Sequence, residues 1–241
     1  MKISELWSGG PLFKEEDGVF KIGADSVLLA GFAAGSTLRK PKRAADLGCG
    51  SGIIAVLLAL NDPGLYVDAV DINKHAAELT LENAKLCGLA DRITVVEGDL
   101  RAHSSLFQSG AYDLTISNPP YNRHGSGKHP SDAGLISARN DATCTLDDLC
   151  RAAGYLTRWG GSFFLVHKAE RLSEVFLSLS ASGFEPKRLR FVQHRQNSPP
   201  GIVLLESRRG GKPSLNVEAP LILFNEDGAE SDEVKAFYHL K

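Results

Sequence analysis

The sequence predicts an α/β protein built on one doubly wound, mostly parallel sheet that is followed by an antiparallel hairpin. Two observations lead to this fold class. Between Arg43 and His167, short apolar segments alternate with helical patterns of roughly 10–15 residues, which is typical of parallel βαβ units. A glycine-rich segment, Gly48-Cys49-Gly50-Ser51-Gly52, directly follows the first apolar segment. Glycines at such a strand-to-helix turn indicate a ligand site at the carboxyl edge of the sheet.

The individual elements follow from the hydrophobic periodicity and from glycine or proline at their ends. The predicted core strands are Arg43–Leu47, Tyr66–Ile72, Arg92–Glu97, Tyr112–Ser117 and Gly161–His167. The predicted helices are Ile53–Leu60, Asn73–Cys87, with Ala77, Leu81, Ala84 and Cys87 on one face, Thr145–Trp159 and Ala169–Ser182. After Gly183 the pattern changes, and Lys187–His194 and Ile202–Glu206 are expected to form an antiparallel hairpin at the edge of the sheet.

The length of 241 residues fits a single domain, 1–241. We predict an N-terminal extension over 1–42, a parallel α/β core over 43–183 and a C-terminal hairpin and tail over 184–241. The polar segment from Asn122 to Thr143 lacks periodicity, and a loop of that length is expected to be functional or disordered.

Composition excludes several classes of protein. Hydrophobic residues make up 43% and charged residues 23% of the chain, as in soluble globular proteins, and the formal net charge is −2. The longest apolar segment, Ile53–Leu60, is too short to span a bilayer. The chain is therefore expected to be cytoplasmic, without membrane association, an obligatory protein partner or a metal site. The four cysteines lack zinc or redox spacing and are expected to be reduced thiols; they are Cys49, Cys87, Cys144 and Cys150.

Asp46 precedes the glycine-rich segment and indicates which ligand it binds. Dinucleotides prefer the spacing G-x-G-x-x-G, whereas the spacing from Gly48 to Gly52 is G-x-G-x-G. A carboxylate repels a pyrophosphate but attracts the cationic amino group of a methionine moiety. Charge and spacing therefore favour S-adenosylmethionine, with Asp46, Gly48, Gly50 and Gly52 as contacts. The alternative is a glycine-rich turn that binds no ligand.

Two further acidic residues follow the next predicted strands. Asp71 is in the position from which a carboxylate accepts hydrogen bonds from both ribose hydroxyls, with Ile72 beside it. Asp99 follows the third strand, next to Leu100, and is expected to accept a hydrogen bond from the exocyclic amine of the cofactor's adenine. Each of the two aspartates could instead cap a helix.

The fourth predicted strand leads directly into Asn118-Pro119-Pro120-Tyr121. Two consecutive prolines stiffen a turn and remove two N–H donors, which leaves carbonyl oxygens free to accept hydrogen bonds. If the Asn118 side-chain oxygen and the Pro119 carbonyl each accept one N–H of a planar amine, the nitrogen lone pair can turn toward a methyl donor. Tyr121 would then stack on the ring that carries the amine. The alternative is a rigid loop with a surface tyrosine.

With these residues, the chain resembles the class I, Rossmann-like amino-methyltransferases. The resemblance is closer to the bacterial enzymes that methylate N6 of an adenine beside the anticodon of valine tRNA, and it extends from Phe20 to about Tyr238. Three further segments are similar to that branch: Phe20-Lys21-Ile22-Gly23-Ala24-Asp25-Ser26-Val27-Leu28-Leu29-Ala30, Ser137-Ala138-Arg139-Asn140-Asp141, and Pro220-Leu221-Ile222-Leu223-Phe224 through Glu233-Val234.

The resemblance implies an enzyme that converts S-adenosylmethionine to S-adenosylhomocysteine without a metal. It also implies that the segment containing Ala24–Ala30 covers the cofactor, that Asn118 contacts it, and that the substrate is RNA, namely an adenine in tRNA. The sequence departs from the branch on the substrate side: Asn122 follows the tyrosine where an apolar residue is usual, and Asp141 replaces a commoner Glu.

Local charge favours an RNA partner, although charged clusters are more often solvated faces. From Lys187 to Lys212 there are seven Lys or Arg residues and one Glu, a formal charge of +6. Two further basic groups consist of Arg39, Lys40, Lys42 and Arg43, and of Arg123, His124, Lys128 and His129. An rRNA base, a DNA adenine or a glutamine of a protein factor stays open as the substrate. The alternative of another class is a non-catalytic, nucleotide-binding Rossmann-like protein.

Overall fold

The computed structural model describes residues 2–15, 23–36, 40–121 and 144–239. The strands are β1 Lys2–Glu5, β2 Leu12–Glu15, β3 Arg43–Leu47, β4 Tyr66–Asp71, β5 Ile93–Glu97, β6 Tyr112–Ser117, β7 Thr157–Lys168, β8 Phe184–Gln193, β9 Pro200–Arg209, β10 Asn216–Val217 and β11 Leu221–Ile222. The helices are α1 Ala24–Ala34, α2 Ile53–Asn61, α3 Lys74–Leu86, α4 His103–Leu106, α5 Leu146–Leu156, α6 Leu172–Ala181 and α7 Asp232–His239.

In the described part of the chain, nine strands form one sheet in the order β10-β8-β9-β7-β6-β3-β4-β5, and β11 also pairs with β8. All pairs are parallel except those of β9, which is antiparallel to both β7 and β8. The predicted doubly wound sheet with a C-terminal antiparallel hairpin is confirmed. The hairpin is not the bare edge of the sheet, however, because β10 and β11 pair with its outer strand. β1 and β2 form a separate antiparallel pair that the sequence did not predict.

The sheet separates two hydrophobic clusters, because successive side chains of a strand point to opposite faces. In β7, Phe164 and Val166 belong to the cluster that contains α1 and α2. Phe163 and Leu165 belong to the cluster that contains α5 and the buried residues of α6. Both faces of the central strands are therefore covered, as expected for parallel strands that are apolar along their whole length.

The predicted helix Thr145–Trp159 is too long at its C-terminal end. It ends at Leu156, and Thr157 already has extended backbone angles (φ −71°, ψ 130°) and begins β7. The Thr157 hydroxyl donates to the Ala153 carbonyl at 2.7 Å and lies 2.8 Å from the Thr115 hydroxyl on β6. These bonds join the end of the helix directly to the sheet, so the chain changes element without an intervening loop.

The predicted buried face of α3 is also partly wrong. Leu81 was expected on this face but is 37% exposed, and Cys87 is only half-buried. Thr80 and Asn83 are fully buried instead. The helix is therefore rotated so that two polar side chains point into the protein, where they contact the glycine-rich segment.

Helix α1 is fixed against the rest of the molecule along its length. A Cβ atom at Gly31 would lie 2.2 Å from Cδ1 of Phe237, so only glycine lets α7 pack this closely. The Arg188 guanidinium lies over the Phe32 ring, 4.2 Å from its centroid. Just after the helix, the Ser36 hydroxyl donates to the buried Glu206 carboxylate at 2.8 Å. These contacts determine where the first turn of α1 lies.

No helix in the described residues is long and apolar enough to cross a membrane. The division into 1–42, 43–183 and 184–241 stays a prediction. Val27 from the first segment and Val234 from the last are buried in the same hydrophobic cluster as α2.

Candidate active site

The predicted site residues follow strands that are neighbours in the sheet. β3 pairs with β6 on one side and with β4 on the other, and Asp46 is opposite both Ile116 and Ala69. β5 pairs with β4. Because parallel strands end at the same edge, the glycine-rich segment, Asp71, Asp99 and the Asn118–Tyr121 turn all lie along one edge of the sheet.

The glycine-rich segment needs its glycines for backbone conformation. Gly48, Gly50 and Gly52 have φ angles of +76°, +57° and +78°, which are in the left-handed region that glycine tolerates best. A Cβ atom at Gly48 would meet no other atom within 4 Å, so open space lies beside its backbone. A Cβ atom at Gly52 would lie 2.7 Å from Cγ2 of Thr80.

Two buried side chains of α3 hold this segment, and the sequence did not point to them. The Thr80 hydroxyl donates to the Gly50 carbonyl and the Asn83 amide donates to the Ser51 carbonyl, each at 2.9 Å. Thr80 and Asn83 are polar side chains on the buried face of a helix, where polar side chains are unusual. With the correct helical face, that polarity would have been the signal.

Asp46 is completely buried at the end of β3. Its Oδ2 accepts from the Ala55 N–H at 3.2 Å, and its Oδ1 has no hydrogen-bond partner. Burial raises the pKa of Asp46 to about 7, although the hydrogen bond from Ala55 opposes the shift. An unpaired buried carboxylate oxygen is costly, so the arrangement suits a ligand that brings a cationic donor to this atom.

Asp71 shapes the turn that it shares with the glycine-rich segment. It accepts from the Gly50 N–H at 2.9 Å and from the Asn73 N–H at 2.8 Å, and burial raises the pKa of Asp71. The helix cap of α3 is Asn73, which accepts from the His75 N–H, so Asp71 is not the capping residue. Ile72 is 40% exposed and presents an apolar surface at the same edge.

Asp99 has the alternative role that the sequence left open. It caps the short 3-10 helix Leu100–Ala102 by accepting from the Arg101 N–H at 2.9 Å, and it also pairs with the Arg101 guanidinium. These hydrogen bonds lower the pKa of Asp99. The Leu100 side chain is buried in the cluster that includes Leu47, so contact with a ligand is limited to its backbone.

The Asn118–Tyr121 turn is bonded to the first turn of α1. The Asn118 Nδ2 donates to the Ser26 hydroxyl at 2.9 Å. The Tyr121 hydroxyl lies 2.8 Å from Asp25 Oδ2 and 2.8 Å from Asn118 Oδ1. Arg171 donates to the Tyr121 carbonyl at 3.1 Å. Pro119 and Pro120 lie between the two bonded residues, half-buried and exposed respectively.

His167, at the end of β7, packs under Tyr121 and was not singled out from the sequence. The two rings meet edge to face, with centroids 5.6 Å apart, and His167 is 1% exposed. Burial, and then the nearby Arg171 charge, lower the pKa of His167 to about 4. The ring is therefore neutral near pH 7 and adds no positive charge to the site.

The basic segment Lys187–Lys212 does not form one continuous basic face. Arg188 pairs with Glu206 and Glu218, and Arg190 pairs with Glu233. Both ends of the segment lie at the edge of the sheet opposite the site, because β8 runs parallel to β7 and β9 runs back. Its central turn, His194–Pro199, lies at the site edge, where Ile202 pairs with Lys168.

Several expectations fall outside the described residues. They concern the polar segment Asn122–Thr143, which contains Arg123, His124, Lys128, His129 and the segment Ser137–Asp141, and also Arg39 and the segment Phe20–Ile22. Among the residues that the structure does describe, no group of three or more His, Cys, Asp or Glu side chains could hold a metal ion.

A doubly wound sheet with an acidic residue at the end of β3 and a glycine-rich segment directly after it is typical of the class I methyltransferases, and an N-P-P-Y turn after β6 is typical of those that methylate amines. The chain belongs to the methyltransferase small domain family, whose model matches residues 13–178. It is 32% identical over 214 residues to the tRNA1(Val) (adenine(37)-N6)-methyltransferase of Tolumonas auensis, covering 88% of this chain and 86% of that protein. The protein of the same name from Dickeya chrysanthemi is 31% identical over 242 residues, with 96% and 93% coverage.

Solved structures support the same fold. A predicted O-methyltransferase, protein Atu636 from Agrobacterium tumefaciens, superimposes with a TM-score of 0.72 at 22% identity, covering 90% of this chain and 96% of that one. TrmN from Thermus thermophilus has a TM-score of 0.54 at 23% identity and covers 77% of this chain and 48% of its own. At these identities the likeness concerns the fold alone.

Proposed function

We propose that this chain uses S-adenosylmethionine to methylate N6 of an adenine in tRNA. The observation that carries the proposal is the pair of features at one sheet edge: a buried carboxylate with an unpaired oxygen, Asp46, beside a stiff acceptor turn that begins at Asn118. The relatives named as tRNA1(Val) adenine-N6-methyltransferases, which align over most of their length, support the choice of substrate.

The residues present fit the cofactor. Asp46 Oδ1 lacks a donor that the cationic amino group would supply, and the open space beside Gly48 admits a ligand against the backbone. Asp71 keeps acceptor capacity for ribose hydroxyls, since each of its oxygens accepts only one of the hydrogen bonds described above. We assign cofactor binding to Asp46, Gly48, Gly50, Gly52, Asp71 and Ile72, with Asn118 as a contact that adds little affinity. Asp99, whose carboxylate is bonded to Arg101, and Leu100, whose side chain is buried, are assigned as backbone contacts. When bound, the cofactor supplies a methyl group activated by the sulfonium centre.

The residues of the turn act on the other reactant. Asn118 Oδ1 and the Pro119 carbonyl accept the two N–H groups of the amine, which directs the nitrogen lone pair toward the methyl group. Pro120 has no N–H that could compete for these acceptors and stiffens the turn. Tyr121 stacks on the base, a contact worth roughly 1–3 kcal/mol. Catalysis on this account consists mainly of positioning, and the amine loses its proton to water after the transfer.

The neutral state of His167 suits this chemistry. A positively charged methyl donor held at this edge of the sheet would be repelled by a protonated imidazole beneath the Tyr121 ring. With a pKa of about 4, His167 stays uncharged throughout the neutral range. It therefore supports the Tyr121 ring by packing alone.

A comparison of activity toward different substrate classes tests the proposal. The protein is incubated with methyl-labelled cofactor and, in separate reactions, tRNA from a strain that lacks the gene, rRNA, duplex DNA or a glutamine-containing release-factor protein. We expect label in tRNA, recovered as N6-methyladenosine by mass spectrometry of the nucleosides. Label in another substrate and none in tRNA would replace adenine in tRNA with one of the alternative targets, and no transfer to any of them would contradict the proposal.

A further inference from the structure

The Tyr121 hydroxyl lies between two acceptors, and this arrangement cannot be satisfied in full. Its oxygen is 2.8 Å from Asn118 Oδ1 and 2.8 Å from Asp25 Oδ2. A phenol has one proton and so donates to one acceptor at a time. Whichever oxygen receives the proton, the other is left as an acceptor for a different donor.

The two positions of the proton have different consequences for Asn118. While Tyr121 donates to Asn118 Oδ1, one of the two lone pairs of that oxygen is occupied, and the oxygen is a weaker acceptor for the N–H of a substrate amine. When Tyr121 donates to Asp25, Asn118 Oδ1 is free for the N–H of the substrate. A carboxylate is the stronger acceptor, since hydrogen bonds to ionised groups are roughly twice as strong as neutral ones.

We propose that Asp25 is a positioning residue: by accepting the hydrogen bond of the Tyr121 hydroxyl, it keeps Asn118 Oδ1 available to hold the substrate amine. The inference rests on the proposed function, because it concerns how the same turn holds its amine. Asp25 forms no bond to the substrate in this account. It acts through a hydrogen bond to the tyrosine hydroxyl and takes no part in the methyl transfer.

Helix α1 gives Asp25 a fixed position for this role. The next residue, Ser26, is buried and accepts from Asn118 Nδ2 at 2.9 Å, so adjacent residues of one helical turn hold both polar ends of the catalytic turn. Phe237 against Gly31 and Arg188 over Phe32 hold the remainder of the helix. Asp25 therefore keeps its distance to Tyr121 without any movement of the helix.

A double-mutant cycle between Asp25 and Tyr121 tests the proposal on the intact chain. Asp25→Ala removes the second acceptor, so the Tyr121 hydroxyl donates to Asn118 Oδ1 and weakens its bond to the substrate amine. We expect kcat for tRNA methylation to fall about tenfold with the cofactor KM unchanged. In the Tyr121→Phe background the competing proton is absent, and Asp25→Ala should then change kcat less than twofold. Asp91→Ala, at an exposed carboxylate near the start of β5, is the matched control and should leave kcat unchanged.

Asp25→Asn separates hydrogen bonding from charge. The amide oxygen still accepts the phenolic proton, so this variant should recover most of the activity lost in Asp25→Ala. Equal losses in the two variants, or a tenfold loss that persists in the Tyr121→Phe background, would overturn the inference. Thermal melts confirm that each variant is folded.

Failure of the proposed function has a different signature. If the wild-type chain methylates no tRNA, the substrate assignment fails, and the hydrogen-bond argument is then tested through denaturant unfolding. Asp25→Ala and Tyr121→Phe should lower the unfolding midpoint non-additively, because both remove the same bond. Additive shifts would show that the hydroxyl and the carboxylate are not coupled and would contradict the inference.

Discussion

At the scale of single residues, Asp46 is the group whose electrostatics bear most directly on the proposed cofactor site. It is fully buried, one of its oxygens lacks a partner, and its pKa is about 7. A carboxylate with a raised pKa in the folded state contributes most stability below its unfolded pKa, near 3.8, and this contribution is lost as the pH rises toward 7. A cationic ligand needs the ionised form and reverses this preference.

Cofactor affinity should therefore depend on pH through Asp46. Below pH 7 the carboxyl group must lose a proton before it can pair with the cationic amino group. We therefore expect the Kd for S-adenosylhomocysteine to rise by up to about tenfold for each unit by which the pH falls below 7. Titration calorimetry between about pH 5.5 and 8 measures this, with Asp46→Asn as the variant that binds more weakly but without the pH dependence. A wild-type Kd that is constant over this range would contradict the role of Asp46.

The sequence could predict Asp46 and the Asn118–Tyr121 turn because they directly adjoin strands with clear patterns. It could not predict Asp25 or His167 as neighbours of Tyr121. Those two residues reach the turn through the packing of α1 and through the end of β7, which are distant in sequence. Such contacts leave no local pattern in the chain.

At the scale of elements, α1 depends on a buried ion pair in the sheet beneath it. The Glu206 side chain is 2% exposed and accepts from Arg188 at 2.9 Å, from Ser36 and from Ser162. Arg188 in turn lies over Phe32 of α1. The pair thus joins the hairpin β8–β9 to the helix that contacts the Asn118–Tyr121 turn.

Breaking this pair on one side should destabilise the fold strongly. Arg188→Met leaves the Glu206 charge buried without its cation, and we expect the free energy of unfolding to fall by roughly 3–5 kcal/mol. Adding Glu206→Gln should restore part of it, because the buried charge is removed. Denaturant unfolding followed by circular dichroism measures both variants, and a single variant as stable as the wild type would contradict the structural role of the pair.

Element boundaries show where local patterns fail. The start of β7 was missed because Thr157 both caps the end of a helix and begins a strand. No glycine or proline separates the two elements. The face of α3 was misjudged because apolarity was followed, whereas Thr80 and Asn83 are buried to bond the glycine-rich segment. In both cases, tertiary hydrogen bonds outweighed the local signal.

At the scale of the whole molecule, the basic residues are distributed in space differently from their order in the sequence. The basic segment Lys187–Lys212 runs from one sheet edge to the other and back, so residues close in sequence lie at opposite ends. Arg195 lies in the turn at the site edge, whereas Lys212 follows β9 at the opposite edge. The parallel sheet itself was predictable, since every core strand has an apolar pattern, but this distribution needed the topology.

The topology predicts which basic residue assists RNA binding. Arg195→Ala should raise the KM for tRNA about three- to tenfold and reduce the salt dependence of binding by about one counterion, because one phosphate contact is lost. Lys212→Ala is the matched control at the far edge and should change neither value. Steady-state kinetics over a range of salt concentrations measure both, and equal effects of the two variants would contradict a specific role of the site-edge turn in RNA binding.

The most direct test of the central claim is the rate of N6-methyladenosine formation in tRNA by the Asn118→Ala variant at saturating cofactor. The account predicts a loss of at least about a hundredfold, as expected for removal of a positioning acceptor, with the Kd for S-adenosylhomocysteine within about threefold of wild type. A variant that keeps wild-type activity would contradict the assignment of Asn118 as the acceptor that holds the target amine.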